Sequence, residues 1–323
     1  MVGQLSKQSF LTNTQLENTV KKHKTVKVEL FATGLNNPTH MEWTLDGRLL
    51  VSEHTAGQVK DITQGGDMRN VKPFASGLQG PTSILPLKDG RILISQTWSG
   101  EVAEISRGGD ISKYEPFADG LSTPYSLACT YRKDGSERIT ISERFGLFRT
   151  QITDITKGGG RDNFRPYVQN LPSMVGAPGL TPIEVWPEKW EDFAAAGCVT
   201  SWQTPYIDSL LVVIAATGQI LKVPQGGGEY FDLVDRNCLI AWGLQRIGGI
   251  IVHPNNGLVY AVQPEHGSVV AINPEARQNY RFEPPVVQGL NTPTCPRFSP
   301  DGETMFVCGS GEGAIWKVTN FSR

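Results

Sequence analysis

FATGLNNPTHMEWTLDGRLL (Phe31–Leu50), FASGLQGPTSILPLKDGRIL (Phe74–Leu93) and FADGLSTPYSLACTYRKDGSERI (Phe117–Ile139) are three copies of one unit. Each opens on an extended strand ending in Gly-Leu, passes through Pro into an apolar strand, turns at Asp-Gly and enters a second apolar strand. VQGLNTPTCPRFSPDGETMF (Val287–Phe306) repeats the unit, GGIIVHPNNGLVY (Gly248–Tyr260) keeps strand, turn and strand around Asn-Asn-Gly, and a divergent copy runs from Tyr167 to Val223. A spacing of roughly 40 to 60 residues, with short strands and Gly-rich turns, suits propeller blades better than a helical solenoid or a leucine-rich horseshoe.

The chain is therefore expected to be all-β, a six-bladed β-propeller of four-stranded antiparallel blades. Strand one follows Gly-Leu-x-x-Pro, strand two follows the Asp-Gly turn, strand three reads GQVKDIT, GEVAEIS or GAIWKVT, and the outer strand reads like VKPFAS. The last third strand, Ala314 to Thr319, has no outer strand after it, and the first strand, Val26 to Thr33, has no blade before it. Pairing the two closes the ring and removes an exposed edge. Residues 1–25 read as an N-terminal arm and 26–323 as the propeller domain.

Composition narrows the partners. The 323 residues carry a formal net charge of −2 and are 39% hydrophobic, which allows a substantial core and no single-sign field for nucleic acid or an anionic membrane. The 35 Gly and 21 Pro recur beside alternating apolar residues, as turns do. No run approaches the roughly 18 apolar residues of a membrane span, and the N-terminal stretch lacks the apolar centre of a secretory signal, so a cytoplasmic protein is expected. The five cysteines are odd in number, far apart and without a CxxC pair, which points to reduced thiols and away from a thiolate zinc site.

Successive antiparallel strands reverse direction, so the loops before strand one and after strand two share a face, called the top here. Inner strands line the channel, and their first residues are the ones six blades aim at a common ligand: His40, Ser83, Ser126, Glu184, Gly249 and Cys295. The loops after strand two add Glu53, His54, Gln96, Trp98, Glu143, Arg144, Glu265 and His266. Imidazoles beside carboxylates suit general acid–base catalysis. His40, Glu184, Glu143, Arg144 and His266 are the candidate catalytic groups, with Arg144 suited to an anionic substrate group. His54, Trp98, Ser83, Ser126, Trp242, Glu265 and Cys295 are candidate substrate contacts, the two tryptophans as flat walls. Each has a plainer reading as a satisfied channel residue, a solvated rim or blade packing. In the fourth unit, Leu171 to Gly179 reads as a longer top-face loop suited to a lid, and Glu188 to Asp208 as a bottom-face insertion.

FSPDGETMFVCGSGEGAIWKV (Phe298–Val318) resembles the matching strand pair of the NHL and SMP-30/gluconolactonase/strictosidine-synthase group of six-bladed propellers. That resemblance implies a small-molecule enzyme of hydrolase, lyase or condensing type, or a binding propeller without catalysis. The group's calcium-dependent members hold the metal with Glu, Asn and Asp at the channel mouth, where only Glu184 matches, so neither metal nor cofactor is expected. GLNNPTHMEWTLDGRLLVSEH and GAPGLTPIEVWP also resemble the soluble pyrroloquinoline quinone (PQQ) sugar and sorbosone dehydrogenases, and GLQRIGG places Arg246 at the first arginine of that family's Gly-Arg-Ile-Arg-Asp turn. This second resemblance implies PQQ with calcium as the alternative.

Overall fold

The computed structural model describes residues 26–132, 134–145, 149–172, 210–214 and 217–320. Glu184, most of the proposed lid and the Glu188 to Asp208 insertion lie outside the described residues. The described strands form six small sheets arranged as a six-bladed β-propeller.

The first blade contains Pro38–Trp43, Leu49–Glu53, Gln58–Asp61 and the short outer strand Ala75–Ser76. Its second strand is buried along its whole length, as are Ile92–Gln96, Leu210–Ile214, Val259–Gln263 and Met305–Gly309 in other blades. These strands pack against neighbouring blades on both faces, so they read as apolar runs without strict alternation. The core accordingly forms layers between blades. Met41, Val51, Cys295 and Phe306 fill the layer between last and first blades. Leu50, Ile84 and Ile94 fill the next one.

The ring closes where the sequence predicts. Lys27–Thr33 pairs antiparallel with Ala314–Thr319, setting Val28 opposite Val318 and Leu30 opposite Trp316. The outer strand is short in the first, second and fifth blades: two residues in the first, and single bridges at Val102 with Ala118 and Val269 with Val287.

Two repeated devices join the blades. Leu78 N–H donates to the Gly57 carbonyl at 3.0 Å, Leu121 to Gly100 at 2.9 Å, Leu290 to Gly267 at 2.9 Å, and Leu35 to Gly313 at 2.9 Å across the ring closure. This contact is what the recurring Gly-Leu does. The second device is a Gly-Gly segment after strand three, in ITQGGD, ISRGGD, ITKGGG and VPQGGG. Gly66–Asp67, Gly109–Asp110 and Gly228–Glu229 each pair in parallel with the outer strand of the blade before. Among the described residues, no helix is long and apolar enough to cross a membrane.

Candidate functional site

Five of the six channel-mouth residues converge. His40, Ser83, Ser126, Gly249 and Cys295 line one narrow cavity of about 20 Å³ together with Thr294 and Arg297, room for about one water. The sixth, Glu184, lies outside the described residues. The inner strands of the first, second and sixth blades each carry a bulge beside these residues. The register slips between Pro38 and His40, between Pro81 and Ile84, and between Pro293 and Pro296. Ser52, Ser95 and Ser142 on the adjacent strands fill the gaps, their hydroxyls accepting from the backbone N–H of His40, Ser83 and Ser126 at 3.2, 3.0 and 2.8 Å.

Below this tier lies a buried ion pair. Arg297 Nε donates to Glu42 Oε2 at 2.6 Å, with both side chains 5% exposed. Glu42 and Arg297 stand two residues beyond His40 and Cys295, and period-two reading along the inner strands is the signal that finds them. Burial works against the Arg297 charge, but Cys295 and Glu42 outweigh it and raise its pKa. For Glu42 burial prevails over Arg297, and its pKa is raised.

This pair governs His40. Arg297 Nη2 approaches His40 Nε2 to 2.6 Å, while the Ile84 N–H donates to His40 Nδ1 at 3.1 Å. A neutral imidazole has one lone pair for these two donors, and a cation has none. Burial first, and Arg297 second, hold its pKa well below the ordinary imidazole value. The ring is therefore neutral and cannot serve as the cationic acid of an acid–base pair.

A larger cavity of about 860 Å³ opens on the top face, off the axis, between the first, fifth and sixth blades. Thr294 lines both cavities, joining the wide one to the throat. The wall presents Asn36, Asn37, Thr292 and Ser310, with Glu312 and the pair Arg246–Glu265 at 3.7 Å. The Arg246 side chain is 9% exposed and that of Glu265 58%, so the guanidinium sits deep and the carboxylate outward.

A difference between blades accounts for its position. At the end of strand two, Glu53, Gln96, Glu143 and Gln263 each accept from the backbone N–H that follows the Leu of Gly-Leu: Asn36, Gln79, Ser122 and Gln245, at 2.6, 2.7, 2.9 and 2.9 Å. These side chains clasp the top loops. The sixth blade has Gly309 at that place, and the loop beyond it, Ser310 to Gly313, forms a wall of the large cavity.

The remaining predicted residues are dispersed. Glu143 is buried in its clasp, bonded also to Thr153 and to Arg161 at 2.5 Å. Arg144, on the same strand, bonds through its backbone to Ser122 and lines neither cavity among their described walls. Glu265 faces the large cavity, and His266 beside it is exposed. His54 is buried edge-on to Trp98 at 4.9 Å, and Trp98 is 56% exposed on the outer surface. Trp242 ends an outer strand of the fourth blade near Arg277, away from the channel.

The residues present do not fit the metal or quinone of the two resemblances. Arg297 puts a guanidinium in the throat, the Glu42 carboxylate beside it is tied to it, and the described residues hold no cluster of three or more metal-ligating groups. A cofactor with three carboxylates would meet Arg246 together with Glu265 and Glu312, a wall carrying more negative than positive charge.

No family model matches the chain, and no curated protein matches it. Solved structures do. A putative gluconolactonase aligns with TM-score 0.61 at 12% identity, covering 92% of each chain. A gluconolactonase from Xanthomonas campestris aligns with TM-score 0.60 at 9% identity, covering 94% of this chain and 92% of its own. A luciferin-regenerating enzyme aligns with TM-score 0.59 at 10% identity, covering 91% and 95%. The fold is that of the SMP-30/gluconolactonase-like six-bladed propellers.

Proposed function

We propose that this protein is a small-molecule enzyme of hydrolase or lyase type, with its substrate in the top-face cavity above the channel throat. The observation that carries the reading is the cavity itself. Its volume of about 860 Å³ suits a small ligand. Amide and hydroxyl groups can orient a polar substrate there, and the recessed Arg246 can hold developing negative charge. The throat at Thr294 has room for a single water beneath the substrate. The activities named for the structurally similar proteins, gluconolactonase and luciferin regeneration, support the same class. Proton transfer falls to carboxylates, Glu265 in the cavity and Glu184, which the sequence repeat assigns to the fourth unit's first-strand entry, while neutral His40 orders the throat.

The test is turnover by the purified full chain of a panel of lactones, carboxylic esters and substrates with a β-leaving group. Ser310→Phe should fill the cavity and raise KM for any active substrate by about tenfold or more, and Glu184→Gln should lower kcat by about 10²- to 10⁴-fold. Turnover that survives Ser310→Phe unchanged would place the chemistry elsewhere. Saturable ligand binding with no turnover in any class would make the protein a binding propeller.

A further inference from the structure

Cys295 and Cys308 stand where the first three blades carry hydroxyl and imidazole groups. Cys308 occupies, in the sixth blade, the place of Ser52, Ser95 and Ser142, and Cys295 the place of His40, Ser83 and Ser126. In the first three blades these two places lie close enough for hydrogen bonds of 3.2, 3.0 and 2.8 Å. In the sixth, Pro293 pairs with Gly309 and Pro296 with Val307, so the bulged Thr294 and Cys295 together face Cys308 across an antiparallel pair. Both thiols join the same apolar layer.

The surroundings separate this pair from the other described cysteines. Burial disfavours the Cys295 thiolate, but the influence of the neighbouring Cys308 thiol and the Arg297 charge outweighs it and lowers its pKa. Burial pushes Cys129 up to about 12, which leaves it inert. Access is also selective. Cys295 lines the throat of about 20 Å³ that shares Thr294 with the open top cavity, whereas Cys308 is fully buried behind it. A molecule little larger than water reaches Cys295, and a bulky disulfide does not.

The geometry points to Cys295 and Cys308 as a peroxide-responsive dithiol in the channel wall, with Cys295 the attacking thiol and Cys308 the resolving one. The Cys295 thiolate attacks one oxygen of hydrogen peroxide, the O–O bond breaks, and the hydroxide released takes a proton to leave as water. Cys308 sulfur then displaces the hydroxyl from the resulting Cys295 sulfenic acid, forming the S–S bond and releasing a second water. Two thiols are oxidised and one peroxide is reduced to two waters.

Peptide mapping of the reduced full-length protein after peroxide treatment tests this. Cleavage after Arg281, Arg297 and Lys317 puts the two cysteines on separate tryptic peptides, Phe282–Arg297 and Phe298–Lys317. Without reductant, these should appear as one linked species about 2 Da lighter than their sum. In Cys308→Ser the resolving thiol is gone, and Phe282–Arg297 should instead gain about 16 Da, one oxygen. An aromatic disulfide reagent should leave both thiols of the folded wild type unmodified. Peptides that stay unlinked after peroxide would overturn the inference, as would linkage to another cysteine or equal reaction with the bulky reagent.

Discussion

Burial holds the His54 imidazole at a pKa of about 4, against 6.5 for the free side chain. Its Nε2 has no hydrogen-bond partner, and its ring packs edge-on to Trp98. Between those two pKa values the unfolded chain binds a proton that the folded one refuses, so stability falls as the pH drops through the window. The contribution is complete above 6.5 and gone below about 4. About 3 kcal/mol is involved, at about 1.4 kcal/mol per pKa unit. His40, its pKa also lowered by burial, acts in the same direction. His54→Phe keeps the aromatic packing and removes the proton site, so its urea stability should fall less than that of wild type between about pH 7 and pH 5. Equal losses in the two proteins would contradict this. The sequence places His40 and His54 in top-face loops, but it does not reveal that burial and Arg297 suppress the first charge and burial alone the second. Desolvation depends on neighbours distant in the chain: Arg297 stands 257 residues from His40.

Among the elements, the Gly turn between strands two and three offers a controlled comparison. Gly57 has φ +63°, and a Cβ there would stand 2.5 Å from the Leu78 carbonyl oxygen of the next blade. Gly47, in an Asp-Gly turn, has φ +85° with nothing within 4 Å. Gly47→Ala should cost only the left-handed backbone strain, about 1–2 kcal/mol. Gly57→Ala adds a clash with the Leu78 main-chain carbonyl, beside the Leu78 N–H bond to the Gly57 carbonyl, and should melt at least about 2 °C lower than Gly47→Ala in calorimetry. Equal melting would mean that the blades part easily at this turn. The Gly-Leu repeat was legible in the sequence as a pattern, and the structure supplies its purpose, joining one blade to the next; the Gly-Gly pairs after strand three came to notice only through the structure. The strand-end residues are the instructive case. Glu53, Gln96 and Glu143 read as site chemistry because they share the top face, yet their carboxyl and amide groups are used in clasping loops. An exposed-looking loop position says nothing of whether its polar atoms already have partners.

At the scale of the whole molecule, stability depends on the contact between Lys27–Thr33 and Ala314–Thr319. Alternate residues of an antiparallel strand donate to the neighbour, so prolines at both Val28 and Glu29 must remove a ladder bond whichever of the two supplies it. The double variant should melt earlier and scatter light on heating, because the freed edge of Ala314–Thr319 is a template for association. Melting and scattering like those of wild type would show that the ring holds without this closure. The repeat alone determined the blade number, the closing pair and the five described channel-mouth residues, because strand alternation and turn chemistry are local and recur at a fixed spacing. Only the tertiary structure decided which polar groups remain available. The Arg297–Glu42 pair, the neutral His40, the clasps and the off-axis cavity beside Gly309 arise where blades far apart in the chain meet, and burial and partnership are properties of that meeting.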